Sequence, residues 1–196
     1  MTRPRPSAEP RLVFRPLTAE RWEDLERLFG ENGACEGCWC MFWHQTGTEH
    51  RAARGERNRR AFRRMVRSGV EPGLLAYAGA EPVGWVAVQP RSAYSRLAAS
   101  PTLRPPDALP VWSTPCFYVT RGWRRSGLAA RLLAAAAAHA RRRGARILEG
   151  YPVDADRPLA SGSLYHGASS TFARLGFEEV ARRAPTRPVM RLRLRR

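Results

Sequence analysis

Apolar residues recur along this chain with two periods, and the changes between them divide it into elements. Residues 12–16 read as a first strand. From 18 to 29 the period lengthens: Trp22, Leu25, Leu28 and Phe29 share one helical face, Thr18 suits the N-cap and Gly30 stops the run. Residues 31–47 follow no period and are rich in cysteine and aromatics. A second helix is expected from about 48 and is clearest over 56–67, where Phe62, Met65 and Val66 form a stripe opposite Arg57, Arg60, Arg64 and Arg67, with Gly69 at its end. Two short apolar runs, 74–77 and 83–89, flank Ala78-Gly79-Ala80-Glu81 and read as a hairpin. Residues 90–110 are rich in proline and serine and form the longest expected loop, of a length that is usually functional or disordered. Residues 111–119 read as a strand, 127–143 as an Ala-rich helix closed by Gly144, and 146–151 as a strand. A helix over 164–175 stopped by Gly176, then strands over 177–183 and 189–194, complete the pattern.

This succession describes one mixed α/β domain over 11–196, preceded by a disordered lead-in over 1–10. With 43% hydrophobic residues the chain can bury a real core. The alanine run 134–138 is far too short to span a membrane and is flanked by His139 and three consecutive arginines. The first ten residues have no apolar centre of a secretory signal. Four cysteines without such a signal read as reduced thiols, and a cytoplasmic setting is expected.

Charge changes the picture more than size does. The 34 basic residues are all arginine against 17 acidic ones, giving a formal net charge of +17. Exchanging lysine for arginine keeps the charge, so the excess is a property of the chain and favours anionic partners. The alternative is a basic surface that is merely solvated.

The most informative chemistry lies in Arg124-Arg125-Ser126-Gly127-Leu128-Ala129, between a β-branched, aromatic strand and the Ala-rich helix. The first N–H groups of a helix have no partner inside it, the dipole favours negative charge there, and glycine lets a phosphate approach the backbone. The turn has neither the Gly-x-Gly-x-x-Gly of a dinucleotide fold nor the Gly-Lys-Ser/Thr of a P-loop. It fits Arg/Gln-x-x-Gly-x-Gly/Ala, and so resembles the pyrophosphate-binding turn of the GNAT superfamily of acyl-CoA-dependent N-acyltransferases. Phe172-Ala173-Arg174-Leu175-Gly176-Phe177 is similar to the Tyr-x-x-x-Gly-Phe of that superfamily, and the element order resembles its fold over nearly the whole length. Cys38-Trp39-Cys40-Met41 and Glu149-Gly150-Tyr151-Pro152 resemble a bacterial subgroup within it.

The resemblance implies a mostly antiparallel central sheet of about seven strands flanked by about four helices. It also implies acetyl-CoA as acyl donor, its diphosphate on the amides of Arg124, Arg125, Ser126, Gly127, Leu128 and Ala129, and its pantetheine along an open strand edge at Phe117, Tyr118 and Val119. A primary amine, most simply a small metabolite or natural product, would attack the thioester directly. No carboxylate lies on 111–119, so Glu149 is the expected receiver of the amine proton, with an ordinary ion pair as the alternative. The superfamily's thiolate-protonating tyrosine is Phe172 here, which leaves Tyr165 and His166 as substitutes. Trp39, Phe42 and Trp43 would make the acceptor pocket aromatic, or else belong to a core patch.

Cys35, Cys38, Cys40 and His44 offer four soft ligands within ten residues, but no second knuckle follows and the interleaved aromatics read as packing. No metal is expected, and Cys116, without a neighbouring base, reads as a core thiol rather than an acyl carrier. A polycationic acceptor is disfavoured by the chain's own charge. Arginines around 57–67 and 191–195 keep an RNA partner, including an aminoacyl-tRNA, in play without favouring it; protein amines are a third acceptor class. A binding module without turnover is the competing class, suggested by Phe172 and by the missing strand carboxylate.

Overall fold

Pro115 divides what the sequence presents as one strand over 111–119. In the computed structural model, which describes residues 11–154 and 165–195, this run forms β5 (Trp112–Thr114) and β6 (Phe117–Val119), and the two belong to different sheets. Proline has no N–H for a ladder and is not accommodated mid-strand, so the chain turns aside at Pro115-Cys116. β1 (Leu12–Pro16), β2 (Gly73–Ala78), β3 (Glu81–Ala87) and β6 make one sheet in that order. β4 (Gln89–Pro90), β5, β7 (Ile147–Gly150), β9 (Pro188–Arg193) and β8 (Glu178–Arg182) make the other. All pairings between these strands are antiparallel except β5 with β7. The expected mixed, mostly antiparallel fold is present; among the described residues nine strands, close to the number expected, are shared between two sheets.

Period 2 sorts the hairpin side chains onto two faces. Leu74 and Ala76 of β2, with Val86 of β3, pack against Leu128, Leu132 and Leu133 of α5 (Leu128–Arg142). Leu75 and Tyr77, with Trp85, pack on the opposite face against α1 (Trp22–Phe29) and α3 (Glu56–Arg67). Leu75, Trp85 and Phe62 are completely buried, each contributing about 1.5–3 kcal/mol relative to exposure. Gly84 lets α5 approach closely, since a Cβ there would lie 3.1 Å from both Leu128 and Leu132.

Three elements depart from the sequence pattern for local reasons. The helix expected from about 48 is two: α2 (Gly47–Ala52), begun by a reciprocal capping box between Thr46 and Glu49, and α3, with Gly55 at φ +71° between them. Residues 90–110 are not all loop, because α4 (Ser95–Ala99) forms within them. The helix expected over 164–175 is shorter, α6 (Ser169–Arg174): Gly167 at φ +78° and a bridge between Val153 and Ala168 hold the preceding residues out of it. Tyr165 and His166 therefore precede the helix rather than lying on it. The lead-in expectation over 1–10 lies outside the described residues, as does residue 164.

Candidate functional site

The division at Pro115 leaves β5 paired to β7 and β6 paired only to β3, so the two sheets part company at this point. The side of β6 turned away from β3 has no strand partner among the described residues; the ladder turns the backbone groups of Tyr118 towards β3 and leaves those of Phe117 and Val119 along an open edge. Tyr118 and Val119 are half-buried and Phe117 is buried.

β6 leads through a single 3-10 turn, Arg121–Trp123, into the basic glycine segment. Arg125 takes φ +64° and Gly127 φ +80°, two left-handed residues that fold the backbone back on itself. The first bond along α5 runs from the Arg131 N–H to the Gly127 carbonyl at 3.2 Å, so the amides of Leu128, Ala129 and Ala130 are not held by it. Arg124, Arg125, Ser126 and Gly127 are exposed, and a Cβ added at Gly127 would meet nothing within 4 Å. The sequence brings together an open strand edge, left-handed turn residues and a fifteen-residue helix directed at one point. These residues fit a diphosphate attached to an extended, amide-bearing arm.

At the end of β7, Gly150 accommodates the ring of Phe172, whose Cε1 would lie 2.1 Å from an added Cβ. The ring packs edge-on against Phe117 at 6.1 Å and Phe177 at 5.0 Å. An aromatic ring fills this position beside the β6 edge, but it carries no hydroxyl.

Glu149 lies one residue before that glycine and is completely buried. Its Oε1 accepts from the Tyr151 hydroxyl at 2.6 Å and from Arg91 at 3.1 Å. Its Oε2 accepts from Arg191 Nε at 2.7 Å and from Arg91 at 3.3 Å. Arg191 also grips Asp107 with both terminal nitrogens, at 2.6 and 2.9 Å, and holds the Asp107 carboxyl down to about 2. Burial, with the Glu149 charge beside it, pushes the Tyr151 hydroxyl well above its ordinary range. Both oxygens expected to receive a proton are thus engaged by two arginines and a tyrosine, in a network that ties residues 91 and 107 to β7 and β9.

Tyr165 and His166 stand nearer the parting of the sheets. His166 Nδ1 donates to the Pro115 carbonyl at 3.0 Å, which leaves Nε2 as the ring's acceptor. Burial, reinforced by the Arg187 charge, lowers this imidazole to about 3, so it is neutral at pH 7. The Tyr165 ring lies 4.0 Å from it and burial keeps its hydroxyl protonated. Trp43 packs on His166 at 5.6 Å and Phe42 packs edge-on against Trp43 at 4.8 Å. Trp39, expected beside them, belongs instead to the core with Trp22 and Phe29, over Gly33. The sequence did not single out Arg187, Tyr94 or the Pro115 carbonyl; only the proline inside an apolar run pointed to a break.

Two of the thiols are held in the protonated form. Burial raises Cys38 to about 11, while a hydrogen bond to Cys40 together with burial pushes Cys116 well above its ordinary range. Neither is a nucleophile at neutral pH. His44 Nδ1 is engaged by the Ala93 carbonyl at 2.8 Å, and among the described residues no group of three or more His, Cys, Asp or Glu is placed to hold a metal ion.

Buried neutral histidines make the fold sensitive to acid. Unfolded imidazoles titrate near 6.5, whereas burial lowers His44 to about 4 and His166 to about 3. Above 6.5 neither state binds these protons and stability is at its full value. Below 6.5 only the unfolded chain binds them, so stability falls as pH drops towards 4 and 3, by up to about 1.4 kcal/mol per pH unit for each ring. Urea denaturation at pH 7, 6 and 5 is expected to show midpoints falling in that order, and a His44→Gln/His166→Gln double variant a flatter profile.

The model of the acetyltransferase (GNAT) family matches residues 35–165, and no curated protein matches the chain. Among solved structures, the PaiA N-acetyltransferase from Thermoplasma acidophilum, in complex with coenzyme A, is 13% identical, with TM-score 0.54 over 93% of this chain and 99% of that one. A GNAT-family acetyltransferase from Listeria monocytogenes is 10% identical, with TM-score 0.56 over 93% and 95% of the two chains. An acetyltransferase from Thermus thermophilus is 18% identical, with TM-score 0.51 over 93% and 97%. At these identities the structural likeness speaks for the fold, but the family model covers most of the chain on sequence alone: the chain belongs to the acetyltransferase (GNAT) family.

Proposed function

We propose that this protein transfers the acetyl group of acetyl-CoA to the primary amine of a small metabolite by direct attack. The observation that carries the reading is the unpaired edge of β6 leading into the left-handed turn at Arg125 and Gly127, at the point where the sheets part. The turn from Arg124 to Ala129 holds the diphosphate on backbone amides, with arginine side chains adding charge. The edge at Phe117 and Val119 pairs with the pantetheine arm. Bound there, the thioester supplies an electrophilic carbonyl and a thiolate leaving group. That a relative of the same shape was crystallised with coenzyme A supports the assignment.

Proton handling follows from which groups are free. With both oxygens of Glu149 engaged, its role in this reading is to anchor residues 91–107 and orient Tyr151. The neutral His166, its ring held by the Pro115 carbonyl, offers Nε2 as a hydrogen-bond acceptor that orients the attacking amine, whose proton leaves to solvent. Tyr165, protonated and tilted against that ring, is the donor to the departing sulfur. Phe42 and Trp43 border the acceptor.

The Phe172 ring, lacking a hydroxyl, favours a second reading: an acyl-CoA-binding or RNA-binding module without turnover, the latter served by the exposed Arg57, Arg60, Arg64 and Arg67 of α3. Thiol release from acetyl-CoA against an amine panel separates the two. His166→Gln is expected to lower turnover about 10²-fold with acetyl-CoA affinity unchanged. Turnover equal to wild type would remove His166 from the mechanism, and no thiol release with any amine would favour the binding module.

A further inference from the structure

The end of α5 opposite the glycine turn closes on Arg141, Arg142 and Arg143, and Gly144 at φ +84° then turns the chain through Ala145-Arg146 into β7. The backbone itself caps this end: the Gly144 N–H donates to the Arg141 carbonyl at 2.9 Å and the Ala145 N–H to that of Ala140 at 3.0 Å. All four arginines of the turn are exposed, and Arg143 pairs with Glu71. Two adjoining hollows open here. Arg143 and Arg146 line the larger, of about 590 Å³, together with Leu109, Pro110 and Trp112. The smaller, of about 380 Å³, is lined by Arg141, Arg142, Arg146 and Leu194. Gly144, Ala145 and Arg146 border both, and none of the described residues lining them is acidic.

The backbone fixes the walls of this groove. The Leu194 N–H donates to the Arg146 carbonyl at 2.8 Å, and the Arg91 N–H to that of Val111 at 3.0 Å. Asp107, gripped by Arg191, accepts from the Leu109 N–H at 3.1 Å. Little ordering of the protein then opposes a guest. Leu109 is 48% exposed, and among the described residues it and Val180 are the large apolar side chains left in solvent. It shares the larger hollow with the half-buried Trp112, in a volume typical of small-molecule sites. The fifteen residues of α5 put this groove about 22 Å from the Gly127 turn.

The two hollows differ in character. The larger adds an apolar, aromatic wall to its arginines, whereas arginine dominates the smaller. A molecule with a flat apolar head and a polyanionic tail matches that order. We infer that the groove binds a nucleotide, its base against Leu109, Pro110 and Trp112 and its phosphates across Arg141, Arg142 and Arg146. Guanidinium forks match phosphate oxygens, and an aromatic side chain offers contact to any base. This ligand is additional to the acyl donor, and the inference stands apart from the transferase reading.

The test is calorimetric titration of ADP into the protein saturated with coenzyme A, so that the Gly127 turn is already occupied. ADP is expected to bind at least about tenfold more tightly than pyrophosphate, which lacks the base. Arg146→Glu should weaken ADP at least about tenfold, with Arg142→Glu as the second variant should the first not fold. Arg15→Glu makes the same charge change at an exposed position on β1 and should leave ADP within about twofold. Equal losses for Arg146→Glu and Arg15→Glu would reduce the binding to general attraction by a basic chain and overturn the site. No heat with ADP, or pyrophosphate binding as tightly as ADP, overturns it too. So does ADP that binds only when coenzyme A is absent, since it then occupies the glycine turn. Should coenzyme A itself fail to bind, the transferase reading falls while the Arg146→Glu comparison still reads the groove. A ten-nucleotide single-stranded RNA is the last probe: displacing ADP at lower concentration, with the same loss on Arg146→Glu, it makes the guest a nucleotide within a strand, and otherwise the guest is a free one.

Discussion

Gly127→Glu is expected to remove measurable acetyl-CoA binding from a protein that still folds. At φ +80° the position favours glycine, yet an added Cβ meets nothing within 4 Å, so folding loses only the backbone strain of about 1–2 kcal/mol. The carboxylate then stands where a diphosphate has to lie. Two unit charges about 4 Å apart repel by about 4 kcal/mol at the effective dielectric of a protein surface, and a diphosphate brings more than one. A loss of at least about 100-fold in affinity follows. Gly127→Ala carries the same strain without the charge and should bind within about tenfold of wild type. Calorimetric titration of both variants with acetyl-CoA checks this; equal affinities for the two would mean that the diphosphate lies elsewhere.

Glu149→Gln is expected to be the most destabilising single change in the site. It leaves Arg91 and Arg191 facing a neutral, fully buried amide, and it takes one good acceptor from the Tyr151 hydroxyl. Breaking a buried ion pair from one side typically costs about 3–5 kcal/mol, a large share of a domain's total stability. For a chain of this size that is a fall in Tm on the order of 10 °C, readable by calorimetry or thermal unfolding. The companion measurement is kcat per folded molecule at a temperature where the variant remains native. Normal stability with a large loss of kcat would make Glu149 a proton acceptor instead of an anchor.

The elements were legible where a local pattern suffices. The apolar runs 74–77 and 83–89 around Ala78-Gly79-Ala80-Glu81 marked the β2–β3 hairpin, and the alanine-rich run followed by Gly144 marked α5 almost to the residue. The glycine turn was legible because its chemistry is local: arginines, a left-handed glycine and a helix start are contiguous. What depends on partners distant in sequence was not. His166 meets the Pro115 carbonyl 51 residues earlier, and nothing in either neighbourhood announces the other. Arg191 sits in an Arg-Leu-Arg-Leu-Arg run whose period marks a strand but not which face is wet; it is buried, directly opposite Glu149 in the β7–β9 register. Trp39 and Trp43 looked alike, yet they are buried in different clusters, Trp39 with Trp22 and Phe29 and Trp43 with Tyr94 and Tyr151.

An unpaired strand edge will accept any extended backbone, and that of β6 is no exception. The same exposed amides that suit a pantetheine arm would template a strand from a second molecule, the first step towards sheet-to-sheet association and insolubility. The edge is only three residues long and ends in a segment carrying Arg121, Arg124 and Arg125, on a chain whose formal net charge is +17. Brevity and like-charge repulsion between copies discourage self-pairing, while both leave an anionic guest free to enter. In the proposed reading the arginine surplus thus serves colloidal stability and ligand choice at one place on the surface.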